Sequence, residues 1–320
     1  MKWLHGLLIL SILVSCESSS SDAIKTEVVS TTSDQFVAVL GIAQDGGYPQ
    51  AGCLKEHCKD LWDSPERRRL VSCLAVVDRA SDEIWIFDAT PDFKDQMTRA
   101  WRHLPNRKRM IPTGILLTHG HMGHYTGLIH LGREAIGADS VPVFAMPRMR
   151  EFLTNNGPWS QLVGLGNIAL KNLNADSTIA LNDRISVTPL LVPHRDEFTE
   201  TVGFRIEGTG QKVLFIPDID KWNKWDRDII KEIKSVDVAF IDGTFYQNGE
   251  IPGRDMSEIP HPFVEESMAL FKDLPDEEKA KVHFIHLNHT NPLLNRDSPE
   301  RKELFGKGFK LAEEGQIVGI

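Results

Sequence analysis

The sequence has little of what would mark a membrane-embedded or nucleic-acid-binding protein. Beyond the amino terminus, no segment of the 320 residues is long and apolar enough to span a bilayer. Positive charge is not in excess, because the formal net charge is −9 at pH 7, and this argues against nucleic acid as a partner. The short basic runs 67–69 and 107–109 are interpreted as solvated surface. No repeat or low-complexity stretch follows residue 34, so we expect one large α/β domain over residues 35–320.

The amino terminus has the features of an exported, lipid-modified protein. A positive charge precedes the apolar run Leu7–Val14, which is too short to cross a bilayer as a stable helix. The tetrapeptide that ends at Cys16 resembles the bacterial lipobox. We predict a lipoprotein signal peptide over residues 1–16, a membrane anchor at the lipidated Cys16, and a location in the cell envelope outside the cytoplasm. The alternative is a plain secretory signal. Residues 17–34 are rich in serine and threonine and are expected to form a flexible tether.

The pattern of apolar runs favours two packed sheets. Short apolar runs such as Ser72–Asp78 and Val236–Ile241 are typical of buried strands, whereas Asp92–His103 and Met122–Leu131 have the pattern of helices. Strand-like runs outnumber helix-like runs by about two to one. A simple doubly wound sheet fits this ratio poorly. Two sheets with helices on the outside fit it better.

Three histidines within six residues follow the apolar run Gly114–Thr118, which is typical of a buried strand. Gly120 allows a tight turn, and the residues after it can begin a helix. This layout places His119 and His121 at the carboxyl end of a strand and His124 on the first helical turn. Neutral imidazoles that converge at one corner suit zinc, iron and similar ions, so the cluster predicts a metal site. The alternative is a polar loop whose histidines face solvent.

Single aspartate and histidine residues close several other buried strands. One such residue is often only a cap or a turn former. Their repetition at strand ends predicts one shared cleft with enough ligands for one or two metal ions. The residues concerned are Asp88, His194, Asp218, Asp242 and His286.

The order of these residues along the chain resembles the metallo-β-lactamase superfamily, over nearly all of the chain after the tether. The fold of that superfamily is a four-layer αββα sandwich with the metal ions at one edge, so the resemblance implies this α/β architecture here. The residues that carry the resemblance are His119, His121, His124, His194, Asp218 and His286.

The same resemblance implies a role for each residue. A first metal ion would be held by His119, His121 and His194. A second ion would be held by His124 and His286, with Asp218 bridging the two. Asp88 matches the first motif of the superfamily, an aspartate that orients the ligands without binding the metal. The expected cofactor is one or two zinc ions in the active site, with iron or manganese as alternatives.

One position departs from the superfamily pattern. An aspartate usually stands just before the third histidine, where it binds the second metal and helps to orient the attacking water, and this chain has Gly123. Its loss could leave one metal, a weakened second site, or a ligand from elsewhere. Asp45, in a glycine-rich loop, is one candidate for the replacement, and a plain turn former is the alternative interpretation.

Four separated segments look like pyrroloquinoline quinone biosynthesis protein B, and they occur in the same order. They are Gly41–Cys53, Asp242–Phe245, Ile259–His261 and His286–Pro292. The general layout also resembles the cyclic phosphodiesterases of phosphonate metabolism and the tRNA 3′-processing endonucleases. Those relatives carry a histidine in the region of His261 that contacts phosphate or supplies a proton, and the resemblance extends this role to His261.

Cysteine is scarce, and three of the four cysteines lie in the predicted domain. The relatives often carry a Cys-x-Cys-x-x-Cys zinc knot on this loop, and Cys53 and Cys58 match its first and last positions. Resemblance to the phosphodiesterases implies that His289 completes the knot, and His57 could supply the missing ligand, which would give a closed structural zinc site. A Cys53–Cys58 disulfide and free thiols are the alternatives. Cys73 lies in an apolar strand and is interpreted as a core residue.

We expect a metal-dependent hydrolase of an ester, lactone or phosphodiester bond in a small-molecule substrate. The metal would lower the pKa of a bound water toward neutrality and polarise the scissile group, and His261 would protonate the leaving group or grip an anion. Two alternatives stay open. Resemblance to the quinone-biosynthesis protein implies iron and oxygen chemistry with the same ligands. Gly123 keeps open a metal- or ligand-binding lipoprotein without catalysis.

Overall fold

A computed structural model describes residues 33–320 of the chain. The predicted signal peptide, the lipidation site Cys16 and nearly all of the predicted tether lie outside this part. The strands within it are, in chain order, β1 Gln35–Gly41, β2 Cys73–Asp78, β3 Glu83–Phe87, β4 Gly114–Leu116, β5 Val141–Ala145, β6 Ile168–Asn172, β7 Ile179–Ala180, β8 Ser186–Leu191, β9 Val202–Glu207, β10 Lys212–Ile216, β11 Val238–Asp242, β12 Val282–Ile285, β13 Lys310–Leu311 and β14 Ile317–Gly319.

These strands form two seven-stranded sheets of mixed direction. The first sheet has the order β14-β1-β2-β3-β4-β5-β6, and the second has the order β13-β12-β11-β10-β9-β8-β7. Strands β3 to β6 are parallel to one another, and so are β10 to β13. Antiparallel pairs join the remaining strands of each sheet.

Eight helices between residues 33 and 320 accompany the two sheets, and most of them pack on the outer faces. They are α1 Phe93–Trp101, α2 Met122–Tyr125, α3 Pro147–Asn155, α4 Trp159–Gly164, α5 Ile229–Lys234, α6 Val264–Leu270, α7 Asp276–Lys279 and α8 Pro299–Gly306. Short 3-10 turns occur at Lys59–Leu61, Pro65–Arg67, Thr126–Leu131, Trp222–Lys224 and Pro292–Leu294. Apolar side chains of α1, α3 and α4 pack with the first sheet, and those of α5, α6 and α8 pack with the second. The predicted four-layer αββα sandwich is therefore confirmed.

The core explains why the strands appear as continuous apolar runs. All seven residues of β1 are buried, since Val37 and Val39 face the second sheet while Phe36 and Leu40 belong to the cluster under the helices. Between the sheets, the ring of Phe87 meets that of Phe204 edge-on, with centroids 5.3 Å apart. Within residues 33–320, none of the helices has the length and apolar character that crossing a membrane requires.

Candidate metal centre

The strands that lead to the centre all end at the same edge of the sandwich. In the first sheet β1 is antiparallel to β2 and β2 to β3, so β1 runs in the same direction as β3 and β4. In the second sheet β8 runs, by the same argument, with β10, β11 and β12. A parallel bridge between Ala43 and Leu287 joins the segments after β1 and β12. Loops from both sheets therefore meet at this edge.

One group of donor atoms gathers around Asp218, which lies two residues beyond β10. Nε2 of His119 is 2.8 Å from Nδ1 of His121 and 3.4 Å from Oδ2 of Asp218. Nε2 of His194 is 3.5 Å from Oδ1 of Asp218. Ligands bound at about 2.0–2.2 Å to a tetrahedral ion lie about 3.3–3.6 Å apart. The four residues therefore have close to the spacing of one coordination site.

A second group shares Asp218 and adds a carboxylate from the loop after β1. Oδ1 of Asp45 lies 3.2 Å from Nε2 of His124 and 3.2 Å from Nε2 of His286. Oδ2 of Asp218 lies 3.4 Å and 3.7 Å from the same two nitrogens. All four donor atoms are within 4.8 Å of one another. Asp218 thus stands between two adjacent sites, in the position of a bridging carboxylate.

Unpaired polar atoms test whether a metal fits these groups. Nε2 of His124, both ring nitrogens of His194 and Oδ1 of Asp218 are buried and have no hydrogen-bond partner in the described part of the chain. A buried polar atom without a partner costs about 1–3 kcal/mol, and a cation at the common point of such atoms would satisfy them. Imidazole and carboxylate donors suit zinc and related ions. The residues therefore fit one or two metal ions.

Hydrogen bonds from outside the donor groups fix the imidazoles. Oδ2 of Asp88, a fully buried residue directly after β3, lies 2.7 Å from Nδ1 of His124. Asp88 also accepts from the backbone N–H and the hydroxyl of Thr118. The hydroxyl of Thr244 lies 2.9 Å from Nδ1 of His286. Contacts at Nδ1 turn each Nε2 toward the centre. Asp88 and His286 have φ angles of 70° and 66°, which non-glycine residues rarely adopt and which these contacts help to hold.

The surroundings also set the protonation states. Burial lowers the pKa of His119 well below its ordinary value and that of His194 to about 4. Burial acts in the same direction on His124, but Asp88 and the other carboxylates outweigh it and raise the pKa of His124 well above its ordinary value. Burial would raise the pKa of Asp218, yet the surrounding imidazoles hold it well below the usual range. His119 and His194 are thus neutral beside an ionised carboxylate, as metal binding requires, whereas His124 would release its proton when an ion binds.

A hydrogen-bonded pair, Asp242 and His261, stands beside the first donor group. Asp242 is the last residue of β11, and its Oδ2 lies 2.8 Å from Nδ1 of His261. The same nitrogen lies 3.3 Å from Oδ1 of Asp218. Burial would lower the pKa of His261, but Asp242 and then Asp218 outweigh it and raise that pKa. A side chain that can hold a proton therefore lies next to the candidate metal ligands.

A separate cluster forms where residues 53–58 meet the segment after β12. Donor atoms of Cys53, His57, Cys58 and His289 lie within 4.8 Å of one another. Sγ of Cys53 is 3.5 Å from Nε2 of His57, and the rings of His57 and His289 have centroids 5.1 Å apart. The two cysteines are not bonded to each other, unlike in the disulfide alternative. Burial raises the pKa of Cys58 to about 11. Two sulfurs and two imidazoles form a donor set that structural zinc uses.

The structure brings the residues predicted from the sequence into these three places. Each predicted active-site ligand lies in a donor group, Asp88 contacts His124, and His261 lies beside Asp218. Among the residues that contact the ligands from outside, Asp88 has a role that the resemblance implies, whereas Thr118 and Thr244 have none. The sequence marks Asp242 as a strand-end residue and as the start of a matching segment but gives it no role of its own, and no pattern marks Glu197, whose Oε2 lies 3.1 Å from Nε2 of His121.

Comparison with known proteins places the chain in a family. A family model described as "Beta-lactamase superfamily domain" matches residues 85–284. The chain belongs to this superfamily. It is 27% identical over 313 residues to "Coenzyme PQQ synthesis protein B" of Pseudomonas fluorescens (strain Pf0-1), covering 88% of this chain and 99% of that protein. The protein of the same name from Klebsiella pneumoniae is 28% identical over 318 residues, covering 89% and 98%.

Solved structures agree with this assignment. Zinc-bound PqqB from Methylobacterium extorquens superposes with a TM-score of 0.75 at 23% identity, covering 89% of this chain and all of that one. A diphosphatase from the PhnP family superposes with a TM-score of 0.62 at 22% identity, covering 89% and 96%. These likenesses show the shared fold. The predicted membership of the superfamily and the resemblance to the quinone-biosynthesis proteins are confirmed, and the His/Asp groups support a metal cofactor.

Proposed function

We propose that this protein is a metal-dependent hydrolase that cleaves an ester, lactone or phosphodiester bond in a small-molecule substrate. The observation that carries the proposal is the pair of donor groups that share Asp218 at an edge open to solvent. The side chains of His121 and Asp45 are 13% and 33% exposed, whereas the other ligand imidazoles are buried. The buried side would anchor the ions and the open side would admit a substrate.

The residues around the donor groups suit hydrolysis. When bound there, zinc or a similar ion supplies Lewis-acid polarisation and a nucleophile at neutral pH. His261, kept protonated by Asp242, would give a proton to the leaving oxygen or grip an anionic group. Asp88 would hold His124 in the orientation that a ligand needs.

Three exposed residues at the rim of the site support a narrower proposal for the substrate. Arg195 is exposed and directly follows His194, and its positive charge acts on His261. Met122 and Phe198 are 72% and 59% exposed, although both are large and apolar. Met122 directly follows the ligand His121. A rim of this kind favours a substrate that joins a negatively charged group to an apolar part.

Metal analysis combined with a substrate screen tests the proposal. The full-length chain would be assayed for bound metal and for turnover of bis(p-nitrophenyl) phosphate, p-nitrophenyl acetate and a simple lactone. His121→Ala and His261→Ala would be compared with His130→Ala, a matched control on the same segment that packs on Phe93 and belongs to neither donor group.

We expect His121→Ala to lower kcat/KM at least about 100-fold, since even partners outside the coordination sphere contribute about 10- to 100-fold. His261→Ala should lower kcat by about 10²- to 10⁴-fold, the usual contribution of a general acid. His130→Ala should act like the parent chain. Turnover that survives unchanged in His121→Ala would exclude hydrolysis at this centre.

A second candidate function is iron-dependent oxidation. It is supported by the similarity to coenzyme PQQ synthesis protein B over nearly the whole length of both chains, and by donors that suit iron as well as zinc. It predicts bound iron and oxygen uptake that depends on substrate. A chain that holds only zinc and consumes no oxygen would remove this candidate. A metal-binding lipoprotein without catalysis predicts closed coordination and no turnover with any substrate.

We also propose that Cys16 carries a lipid and anchors the protein in the cell envelope outside the cytoplasm, because residues 1–16 resemble a lipoprotein signal. Metabolic labelling with a radioactive fatty acid tests this, and the label should disappear in Cys16→Ala. Label that stays in Cys16→Ala, or that never appears, would contradict the anchor.

A further inference from the structure

The space at Gly123 is already occupied by another carboxylate. A Cβ atom placed on Gly123 would lie 2.3 Å from Oδ1, 2.4 Å from Cγ and 2.7 Å from Cβ of Asp45. Contacts below 3.0 Å are essentially never seen for real Cβ atoms, so no residue larger than glycine fits beside Asp45 without a shift. Gly123 lies directly before His124 on α2, whereas Asp45 lies on the loop after β1.

The position of the Asp45 carboxylate is that of a ligand rather than of a turn former. Its Oδ1 is equidistant, at 3.2 Å, from Nε2 of His124 and Nε2 of His286. Nε2 of His124 forms no hydrogen bond despite this distance, because it does not aim at the oxygen. Nε2 of His286 is within hydrogen-bond distance of the same oxygen, and these three atoms and Oδ2 of Asp218 all lie within 4.8 Å of one another, as ligands of one ion would.

Main-chain contacts hold Asp45 in this place. The N–H of Gln44 donates to the carbonyl of Leu287 at 2.8 Å, and the N–H of Leu287 donates to the carbonyl of Ile42 at 2.8 Å. The residue before Asp45 is therefore tied to the residue after His286. Gly47, with a φ of +70°, supports the turn that follows, since glycine adopts this conformation without strain. The loop thus delivers its carboxylate to a fixed point between the two imidazoles.

We propose that Asp45 is the carboxylate ligand of the second metal, and that it replaces in space the aspartate that is missing at position 123. The proposal deepens the proposed function, since it rests on the same metal centre. If the proposal holds, positions 45 and 123 cannot both carry an aspartate. A side chain at one position would occupy the space that the carboxylate of the other needs. The site therefore has a full set of four donors.

A ligand exchange between the two positions tests the proposal. Asp45→Gly removes the ligand, and it also removes the Cβ that would clash with a side chain at 123. Gly123→Asp adds a carboxylate while Asp45 is still present. The double variant Asp45→Gly/Gly123→Asp moves the carboxylate from one position to the other. Asp45→Asn keeps the shape of the side chain and serves as a second variant if the loop depends on it.

Binding of zinc to each full-length variant would be measured by titration against a chromophoric chelator, with bound metal counted by elemental analysis and folding followed by circular dichroism. We expect Asp45→Gly and Asp45→Asn to bind one ion fewer than the parent, or to bind it at least about 100-fold more weakly. Gly123→Asp should also bind the second ion weakly. The double variant should recover it to within about tenfold of the parent chain.

Parent-like binding of every ion by folded Asp45→Gly and Asp45→Asn would overturn the proposal, and so would a parent chain that binds no second ion at the His centre. A double variant that folds but does not bind the second ion would refute the claim that a carboxylate at position 123 can take the place of Asp45. These results are separate from the test of hydrolysis. Absence of turnover with intact metal binding would refute the proposed function and leave the role of Asp45 standing.

Discussion

Asp88→Asn tests whether a contact outside the coordination sphere controls the second metal site. Asp88 is fully buried, and its carboxylate meets the N–H and hydroxyl of Thr118 and Nδ1 of His124. Its φ of 70° lies in the left-handed region, which asparagine tolerates better than most residues. The substitution keeps the shape of the side chain. It therefore removes a charge and reverses the two hydrogen bonds at Oδ2, to the Thr118 hydroxyl and to His124, with little cost in the backbone.

The size of the effect follows from the position of one proton. In Asp88→Asn the amide NH₂ takes the place of Oδ2 and donates to Nδ1 of His124, which was 2.7 Å away. The imidazole must then carry its proton on Nε2, the atom that lies 3.2 Å from Asp45 and 3.4 Å from Asp218. No lone pair is left for the metal. Outer-shell changes cost about 10- to 100-fold in metal affinity, or about 1.4–2.7 kcal/mol, and we expect this loss at the second site.

The assay combines a chelator titration, which gives the affinity of each site, with ¹⁵N NMR of the histidine rings, which reports the tautomer of His124. The matched control is Asp78→Asn. Asp78 is also a buried aspartate of the first sheet, and it contacts Asn182 and Gln35, which begins β1, whereas the metal centre lies beyond the other end of that strand. It should lower stability without changing metal affinity. Second-site affinity in Asp88→Asn equal to that of the parent would refute the reasoning.

Three further predictions concern separate parts of the chain. Cys53→Ser should lose one zinc ion and lower the Tm by roughly 10 °C, as read by elemental analysis and calorimetry, whereas the buried Cys73→Ala should lose stability with its metal content intact. Burial lowers the pKa of His283 to about 4, so the folded state binds fewer protons than the unfolded state. The free energy of unfolding therefore keeps its full value above pH 6.5. It falls by up to about 3 kcal/mol as the pH drops toward 4, because the unfolded state then takes up a proton at His283 and the folded state does not. Urea unfolding of His283→Gln should show a shallower loss over that range, and an identical slope would contradict the assignment. Arg195→Gln should raise KM several-fold for an anionic phosphodiester and leave KM for a neutral ester unchanged, and equal effects on both would exclude recognition of charge by Arg195.

The sequence predicts well those features that depend on local patterns. The helix expected over Asp92–His103 is α1 Phe93–Trp101, and the strand-end aspartates and histidines do meet at one edge. The exact ends of the helices differ from the predicted ones, because they depend on packing against neighbouring segments. The helix expected over Met122–Leu131 is an α-helix only to Tyr125 and continues as a 3-10 turn. Gly127 lies so close to Thr90 that a Cβ would be 2.2 Å from the Thr90 carbonyl, which shows how tightly this turn packs on its neighbour.

Local sequence patterns do not predict very short strands, exact helix starts or contacts between distant segments. The short strands β7, β13 and β14 contain only two or three residues, too few for a periodicity to show. The pattern of residues 224–233 also predicts a helix, but α5 begins later, at Ile229, where Asp228 caps it by accepting from the N–H of Ile230 at 2.9 Å. Asp45 is a candidate ligand of the second metal from its place in a glycine-rich loop, but its contact with His286 depends on a bridge between the segments after β1 and β12, which no local pattern predicts.

The cluster of Cys53, His57, Cys58 and His289 and the candidate metal centre draw donors from the same two segments, which suggests how a ligand can come from a different position in the sequence. The loop after β1 carries Asp45 and, further on, Cys53; the segment after β12 carries His286 and, three residues later, His289. A metal that joins Cys53 to His289 would fix these segments against each other, and would thereby fix the distance from Asp45 to His286. A metal ion requires donors at points in space, whichever segment supplies them. Once the two segments are locked, a carboxylate from the loop after β1 can serve the second site as well as one from α2, and Gly123 then serves to leave room for it.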